Sequence, residues 1–526
     1  MAGNGKFRLT YATMFDPPEE LHQGYEKAVA QVKSDLGKDY GMWIGGKEVF
    51  TKEKSENRSP IDTGLLLGTF QRAKAEDTHR ALEAGRRAAR DWGKRPWQER
   101  VALVRKAAEL IDERIYHFGA VLSLEAGKTR MEALADAAET ADLMRYACDQ
   151  MEANNGFVVK MGQDPLKGYK ASNVSKLKPY GVWVVISPFN FPAALTGGPV
   201  GAALVAGNTV VYKPAEDTSW TSRLLAEVYR DAGFPDGVVN YVTGKGSVMG
   251  KALIEDPLTD GVTFTGSVDI GMGIYRTFSQ GRYPRPTVLE MGGKNPAIVS
   301  RHADLDRAVQ GLYRSAFGNQ GQKCSAASRI YAEEPVYDDL LAKLVDTTRK
   351  LKVGDPTRKE VFLGPVINQG AYDNFKNFTE ELSQAGVFLT GGKVLTDNEH
   401  GKGYFCEPTI AANVPTDHRL WKYEMFLPIT MVHKIKNLEE GMALANDVDF
   451  GLTAGFYGNQ DESLWFFDNI EAGVTYANRP QGATTGAWPG FQPFGGWKGS
   501  GSTGKNAGGH YYLQLYMREQ VNTVIE

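Results

Sequence analysis

Hydrophobic positions along this chain follow two periods. Over the N-terminal third they recur at helical spacing. In "VALVRKAAELIDERIY", Val104, Ala108, Ile111 and Ile115 lie three or four positions apart, which places them on one helix face. Residues 77–92 open with an N-cap type and continue in helix formers, and "EELHQGYEKAVAQVKSDLG" has a helical pattern that stops on glycine. Between these helices "MWIGGKEVFT" reads as a hairpin around Gly-Gly. From Gly181 the pattern changes. "GVWVVIS" is a continuous apolar run, as expected of a strand buried on both faces. "NTVVYK", "GVVNYV", "GVTFTG" and "TVLEMGG" repeat the form, with helical segments such as "TSWTSRLLAEVYRDAGFP" between them. Strand–helix–strand alternation over about a hundred residues predicts an α/β fold, a parallel sheet covered by helices on both faces. Such sheets bind ligands beyond the carboxyl ends of their strands, so the residues just after each run are the candidates for chemistry. After Met291, "SRIYAEE", "YDDLLAKLVDTTRKL" and "TMVHKIK" predict a second sheet, and the chain ends in an alternating strand.

Composition narrows the function. The 526 residues suit two or three domains. A net charge of −3 offers no basic face for nucleic acid, and no apolar run approaches the about 20 residues needed to span a bilayer. The N-terminus shows no targeting pattern. Cys148, Cys324 and Cys406 are odd in number, widely spaced and without a CxxC pair. That argues against a disulfide framework or a zinc site and for a reducing cytoplasm. Cys148 and Cys406 read as structural.

The candidates at the strand ends are few. Asn190 stands in "VVISPFNFP", stiffened by Pro188 and Pro192. A rigid amide there can donate to a developing oxyanion or bond its own turn backbone. Lys213 and Glu216 in "VVYKPAEDTS" fall where a dinucleotide fold meets the adenosine ribose. A carboxylate there accepts ribose hydroxyls and repels a 2′-phosphate, favouring NAD; a solvated loop pair is the alternative. No GxGxxG follows the first run. Instead "FTGS" puts Gly266 and Ser267 at a helix start, and "VTGKGSVMG" adds Gly244 and Gly246, turns of the kind that hold phosphate. Glu290 ends an apolar run in "TVLEMGGKNP", where it reads as a general base with a raised pKa or as a salt-bridge or capping carboxylate. Cys324 lies in the polar turn "GNQGQKCSAASR". Lys323 beside it and a helix start at Ser325 are expected to favour the thiolate. A thiol attacks an aldehyde carbonyl well, and Asn190 with the Cys324 N–H can hold the oxyanion.

The motifs "SPFNFP", "YKPAEDTS", "FTGS", "LEMGGKNP", "GQKCSAASR", "YEMFLPI" and "PFGGWKGSG" occur in an order and spacing that resemble the aldehyde dehydrogenases from about Tyr40 to the end. The resemblance implies an aldehyde dehydrogenase fold with a Rossmann-like NAD-binding domain (41–156 and 180–290), an α/β catalytic domain (291–480) and a β-flap for oligomerisation (157–179 and 505–526), after an N-terminal arm (1–40). "GQKCSAASR", the loop carrying Thr485, Gly486 and Ala487 ahead of Phe494, and the long arm resemble the branch that oxidises L-glutamate γ-semialdehyde. That aldehyde is the open form of 1-pyrroline-5-carboxylate, and its oxidation to L-glutamate with NAD closes proline catabolism. Another semialdehyde, such as that of succinate, is the competing substrate class. Carried over by position, Cys324 is the nucleophile, Glu290 the base and Asn190 the oxyanion donor. Lys213 and Glu216 meet the adenosine ribose, Gly246, Gly266 and Ser267 the phosphates, and Glu424 and Phe426 the nicotinamide end. Ser325, Gly486, Ala487, Phe494 and Glu125 meet the substrate. Leu427 stands where the family usually has glycine. No metal, nucleic acid or membrane partner is implied, and a homodimer or a hexamer of dimers is. A non-catalytic scaffold on the same fold is the other class of reading; Cys324, Glu290 and Asn190 together argue against it.

Overall fold

The buried runs after Gly181 lie side by side in a seven-stranded sheet. In the computed structural model, which describes residues 17–165, 167–483 and 488–525, the order is Thr287–Glu290, Gly261–Thr265, Val182–Ile186, Thr209–Lys213, Val239–Tyr241, Met42–Ile44 and Lys47–Val49. The first five pair in parallel, and the N-terminal hairpin extends the sheet antiparallel. Period-two geometry explains the unbroken apolar runs. Val182 and Val184 enter a core with Val211, Phe264 and the helices Ala75–Lys94 and Val268–Ser279. Trp183 and Val185 enter the opposite core with Val210, Tyr212 and the helices Trp97–Glu113, Arg130–Ala153 and Ala194–Ala206. With both faces covered, most strand positions favour apolar side chains.

Strand order creates the crevice. The chain winds from Val182–Ile186 to one side of the sheet, then returns to place Gly261–Thr265 on the other. The crossovers diverge there, beyond the carboxyl ends of these two strands, which is where such folds bind ligands.

A second seven-stranded sheet runs Val387–Thr390, Thr409–Ala412, Ile429–Ile435, Ala327–Glu333, Asn295–Val299, Thr453–Tyr457 and Val474–Ala477. Only its first strand is antiparallel. Asn295–Val299 and Thr453–Tyr457, fifth and sixth in that order, escaped the sequence reading. One opens with Asn-Pro and the other carries a glycine, weak strand signals that burial overrides. Similarly, "VALVRKAAELIDERIY" is not one helix. It breaks at Arg114, and Ile115 begins the next helix, Ile115–Ala126.

In a third, three-stranded sheet, Met517–Ile525 pairs antiparallel with Ala171–Pro179 along its whole length, and Val158–Lys160 completes it. No helix among the described residues is long and apolar enough to cross a membrane.

Candidate active site

The polar turn before Cys324 is held in a costly shape. Asn319 (φ 49°) and Gln320 (φ 56°) are both left-handed, a conformation that persists in non-glycine residues only where surroundings impose it. The amides of the "GNQGQ" sequence supply much of that restraint. The Asn319 N–H donates to Glu132 Oε1 at 2.6 Å, and Gln320 Nε2 donates to the Gly127 carbonyl at 3.2 Å. Gln322 Oε1 accepts from the Ile367 N–H at 3.0 Å. On the far side, Asn295 Nδ2 donates to the carbonyls of Cys324 at 2.6 Å and Ala326 at 2.9 Å. A Cβ on Gly293 would collide with the Cys324 carbonyl, so glycine is required beside the nucleophile. Glutamine and asparagine fill this turn because their amides tie a strained backbone from several sides.

The thiol itself differs from expectation. Burial pushes it up to about 12, and the carboxylates of Glu424 and Glu290 push the same way; its own N–H and that of Ser325 pull against them. Lys323 does couple electrostatically to Cys324, but it is poorly placed to stay cationic. It is 2% exposed, its Nζ donates to the Arg314 carbonyl at 3.2 Å, and burial lowers it to about 8. No helix begins at Ser325 either; the chain turns there and enters the Ala327–Glu333 strand. The expected helix start is therefore absent, and the help from Lys323 is weakened by its own burial.

Glu290 ends its strand, and its carbonyl accepts the Gly266 N–H at 3.1 Å. Burial raises its carboxyl well above the usual range, opposed by the Gly496 N–H. Among the described residues, its Oε2 is buried without a hydrogen-bond partner. Glu424 reaches the neighbouring turn, where Oε1 accepts the Gly293 N–H at 2.8 Å, and burial raises it to about 7. A side chain at Gly292 would collide with that carboxylate. Phe426, also left-handed at φ 56°, packs edge-on against Phe189 at 5.8 Å.

Two cavities meet at the cysteine. One, of about 550 Å³, lies in the crevice and is lined by Asn190, Gly266, Ser267, Glu424 and Phe426. The other, of about 60 Å³, is lined by Glu139, Leu143, Phe191, Glu290, Ser325 and Phe494. Cys324, Thr265 and Met291 line both. Phe494 is fixed by paired backbone bonds with Ala507 of 2.9 and 2.7 Å and packs on Leu143 and Ala194.

The remaining sequence candidates divide. Lys213 ends the strand next to Val182–Ile186; its Nζ donates to the Pro214 carbonyl at 2.7 Å, and burial lowers it to about 8. Glu216 is paired with Arg72 at 2.9 Å, a partner invisible in the sequence because it lies far away in the chain. Gly246 opens a turn after the next strand, and a Cβ there would meet nothing within 4 Å. Gly486 and Ala487 lie outside the described residues. Glu125 requires correction, because it does not line either cavity. It is 1% exposed, and its oxygens accept from Asn57 Nδ2 at 2.6 Å, the Trp220 N–H at 2.6 Å and the Thr221 N–H and hydroxyl at 2.9 and 2.6 Å. It anchors the start of the Ser219–Ala232 helix. A second carboxylate on the smaller cavity, besides Glu290, is Glu139, which the sequence reading missed. Its signal was helical spacing: Glu139, Leu143, Tyr146, Ala147 and Gln150 fall on one face of Arg130–Ala153 and all line that cavity.

Comparison with known proteins gives this geometry a context. The chain is 37% identical over 513 residues to 1-pyrroline-5-carboxylate dehydrogenase of Geobacillus sp. (strain WCH70), covering 97% of each. Its fold superposes on a solved 1-pyrroline-5-carboxylate dehydrogenase from Thermus with bound NAD at a TM-score of 0.92, with 33% identity over 100% of this chain and 99% of that one. It also superposes on proline utilization A from Bdellovibrio bacteriovorus at a TM-score of 0.91, with 33% identity, spanning 96% of this chain and 52% of that longer one. A family model described as the aldehyde dehydrogenase family matches residues 48–522. The chain belongs to the aldehyde dehydrogenase family.

Proposed function

We propose that this chain oxidises L-glutamate γ-semialdehyde, the open form of 1-pyrroline-5-carboxylate, to L-glutamate with NAD as hydride acceptor. The observation that carries the reading is Cys324 at the junction of two cavities, one suited to a dinucleotide and one to a small aldehyde. The dinucleotide fits the larger one. Gly266 and Ser267 line it, with Ser267 at the N-cap position of the Val268–Ser279 helix, and an anion is favoured at such a helix start. Glu424 is held by the Gly292–Gly293 turn for the nicotinamide ribose, and Lys213 with Glu216 stand at the adjacent strand ends for the adenosine ribose.

The chain's residues divide the work. The Cys324 thiol loses its proton to solvent water, and Sγ bonds to the aldehyde carbon. The carbonyl oxygen becomes an oxyanion, stabilised by the Asn190 amide and the Cys324 N–H. Asn190, Gly266, Ser267 and Glu424 line the cavity that would hold NAD, which when bound would supply the hydride acceptor for oxidising the thiohemiacetal to a thioester. Glu290, once ionised, takes a proton from water; the hydroxide adds to the thioester carbon and the Cys324 thiolate leaves. Ser325 and Phe494 line the aldehyde side, and Glu139 offers a carboxylate to the α-ammonium of the substrate, a group that succinate semialdehyde lacks.

The three cysteines are free, which suits a reducing cytoplasm. The third sheet supports assembly as a homodimer or a hexamer of dimers.

The test is NADH formation by the purified protein with 1-pyrroline-5-carboxylate, beside succinate semialdehyde and with NADP as the alternative acceptor. Preference for 1-pyrroline-5-carboxylate with NAD, abolished by Cys324→Ala, is expected. Preference for succinate semialdehyde would keep the thiol chemistry and overturn the substrate. No turnover of any aldehyde by reduced protein would return the scaffold reading.

A further inference from the structure

Lys128 is fully buried in the corner between the helices Ile115–Ala126 and Arg130–Ala153. An ammonium is withdrawn from water only where other groups replace its hydration. Three do so here. Nζ donates to the Asn190 carbonyl at 2.6 Å. It lies 3.4 Å from Asp136 Oδ2 and 3.6 Å from the centre of the Phe191 ring. Asp136 extends the contact, because its Oδ1 accepts the Ala194 N–H at 2.8 Å. The segment 190–194 is thus tied by a carbonyl, a ring and an N–H to one buried ion pair. From the opposite side, Asn319 Nδ2 of the cysteine turn reaches the same Asn190 carbonyl at 3.4 Å. Lys128 lines neither cavity, so it touches neither substrate nor cofactor there.

We propose that Lys128 is a positioning residue for the oxyanion hole: by holding the Asn190 carbonyl it sets the backbone that carries the Asn190 amide, a group lining the same cavity as Cys324. The inference rests on Asn190 as oxyanion donor. A buried ion pair is a poor source of stability compared with an apolar pair of the same volume. A donor misplaced by about 1 Å, however, costs up to about a hundredfold in rate. Rate, more than stability, is what the ion pair serves here.

The test is a double-mutant cycle on kcat with K128M, N190A and K128M/N190A, with KM for NAD and thermal unfolding read alongside. K128M is expected to lower kcat by about tenfold or more while KM for NAD stays within about twofold. In the N190A background the same change is expected to cost less than about twofold, because the group it positions is gone. K128R, which keeps the charge, is expected to recover part of the loss. Equal losses in both backgrounds, or a loss confined to KM for NAD, would overturn the proposal. The N190A single variant reports separately on the oxyanion reading: full kcat there removes Asn190 from the mechanism whatever the cycle gives. Should K128M not fold, K128M/D136N takes its place, since it leaves no lone buried ion and keeps an acceptor for the Ala194 N–H.

Discussion

Glu290 can act as a base only when ionised, and burial raises its pKa well above the ordinary carboxyl range. The ionised fraction therefore grows as pH rises, so thioester hydrolysis is expected to slow on the acid side and recover toward alkaline pH. The Cys324 thiol is raised by burial as well, so steady-state rates mix two titrations in the same direction. Glu290→Gln separates them. It is expected to leave a stoichiometric burst of NADH in stopped flow while lowering steady-state turnover by about 10²–10⁴-fold. The pH dependence of that burst then reports Cys324 alone. Continued steady turnover by the variant would show that another group activates the water. Glu139 makes a second residue-scale prediction. A charge-assisted hydrogen bond to the α-ammonium is worth about 1.5–3 kcal/mol, so Glu139→Gln is expected to raise KM for 1-pyrroline-5-carboxylate about tenfold or more. The same change should leave succinate semialdehyde nearly untouched; equal effects on both would take Glu139 out of substrate recognition.

At the scale of elements, Glu125 shows what a carboxylate does when a helix start consumes it. It bonds the Trp220 and Thr221 N–H groups at the first turn of Ser219–Ala232 and the Asn57 amide from a distant strand. Glu125→Ala strands these buried donors and is expected to lower stability by about 2–3 kcal/mol, read as a fall in Tm. KM for the aldehyde in the folded fraction should stay the same, and a raised KM with unchanged Tm would restore Glu125 to the substrate. This residue also marks the limit of what the sequence told. Unbroken apolar runs made the five parallel strands legible, because burial on both faces leaves one reading. The residues at their ends were legible for the same reason: strand carboxyl ends face the crevice, and Asn190, Gly266 and Ser267 do line it. Residues whose partners come from elsewhere in the chain were not legible. "LEAGKT" does not announce that Glu125 turns toward Trp220, nor "QRAKA" that Arg72 meets Glu216. Lys323 failed differently. Its position beside Cys324 suggested electrostatic help, and a coupling exists, but burial lowers the ammonium to about 8 and its Nζ donates to the Arg314 carbonyl.

Across the whole molecule, the two seven-stranded sheets deliver opposite halves of one reaction. The first sheet brings Glu290, Gly266 and Ser267 to its strand ends, and the second begins the Ala327–Glu333 strand just after Cys324. The third sheet belongs to neither cavity. Register places Val159 and Val521 on either side of Ser175, and two-residue alternation puts Ile525 on the same face as Val521. These three are 56%, 57% and 49% exposed, apolar side chains that a single chain leaves in water, with Ser175 and Thr523 between them on the same face. If this face is where copies of the chain meet, an aspartate within it must be buried unpaired on association. Val521→Asp is therefore expected to shift the protein toward monomer in light scattering, with a dissociation constant raised about tenfold or more. Because the sheet lines neither cavity, single chains of the variant should retain 1-pyrroline-5-carboxylate oxidation when assayed after dilution. An unchanged mass would move the interface to another face of the molecule. Loss of activity together with loss of mass would mean instead that assembly braces the two cavities that meet at Cys324.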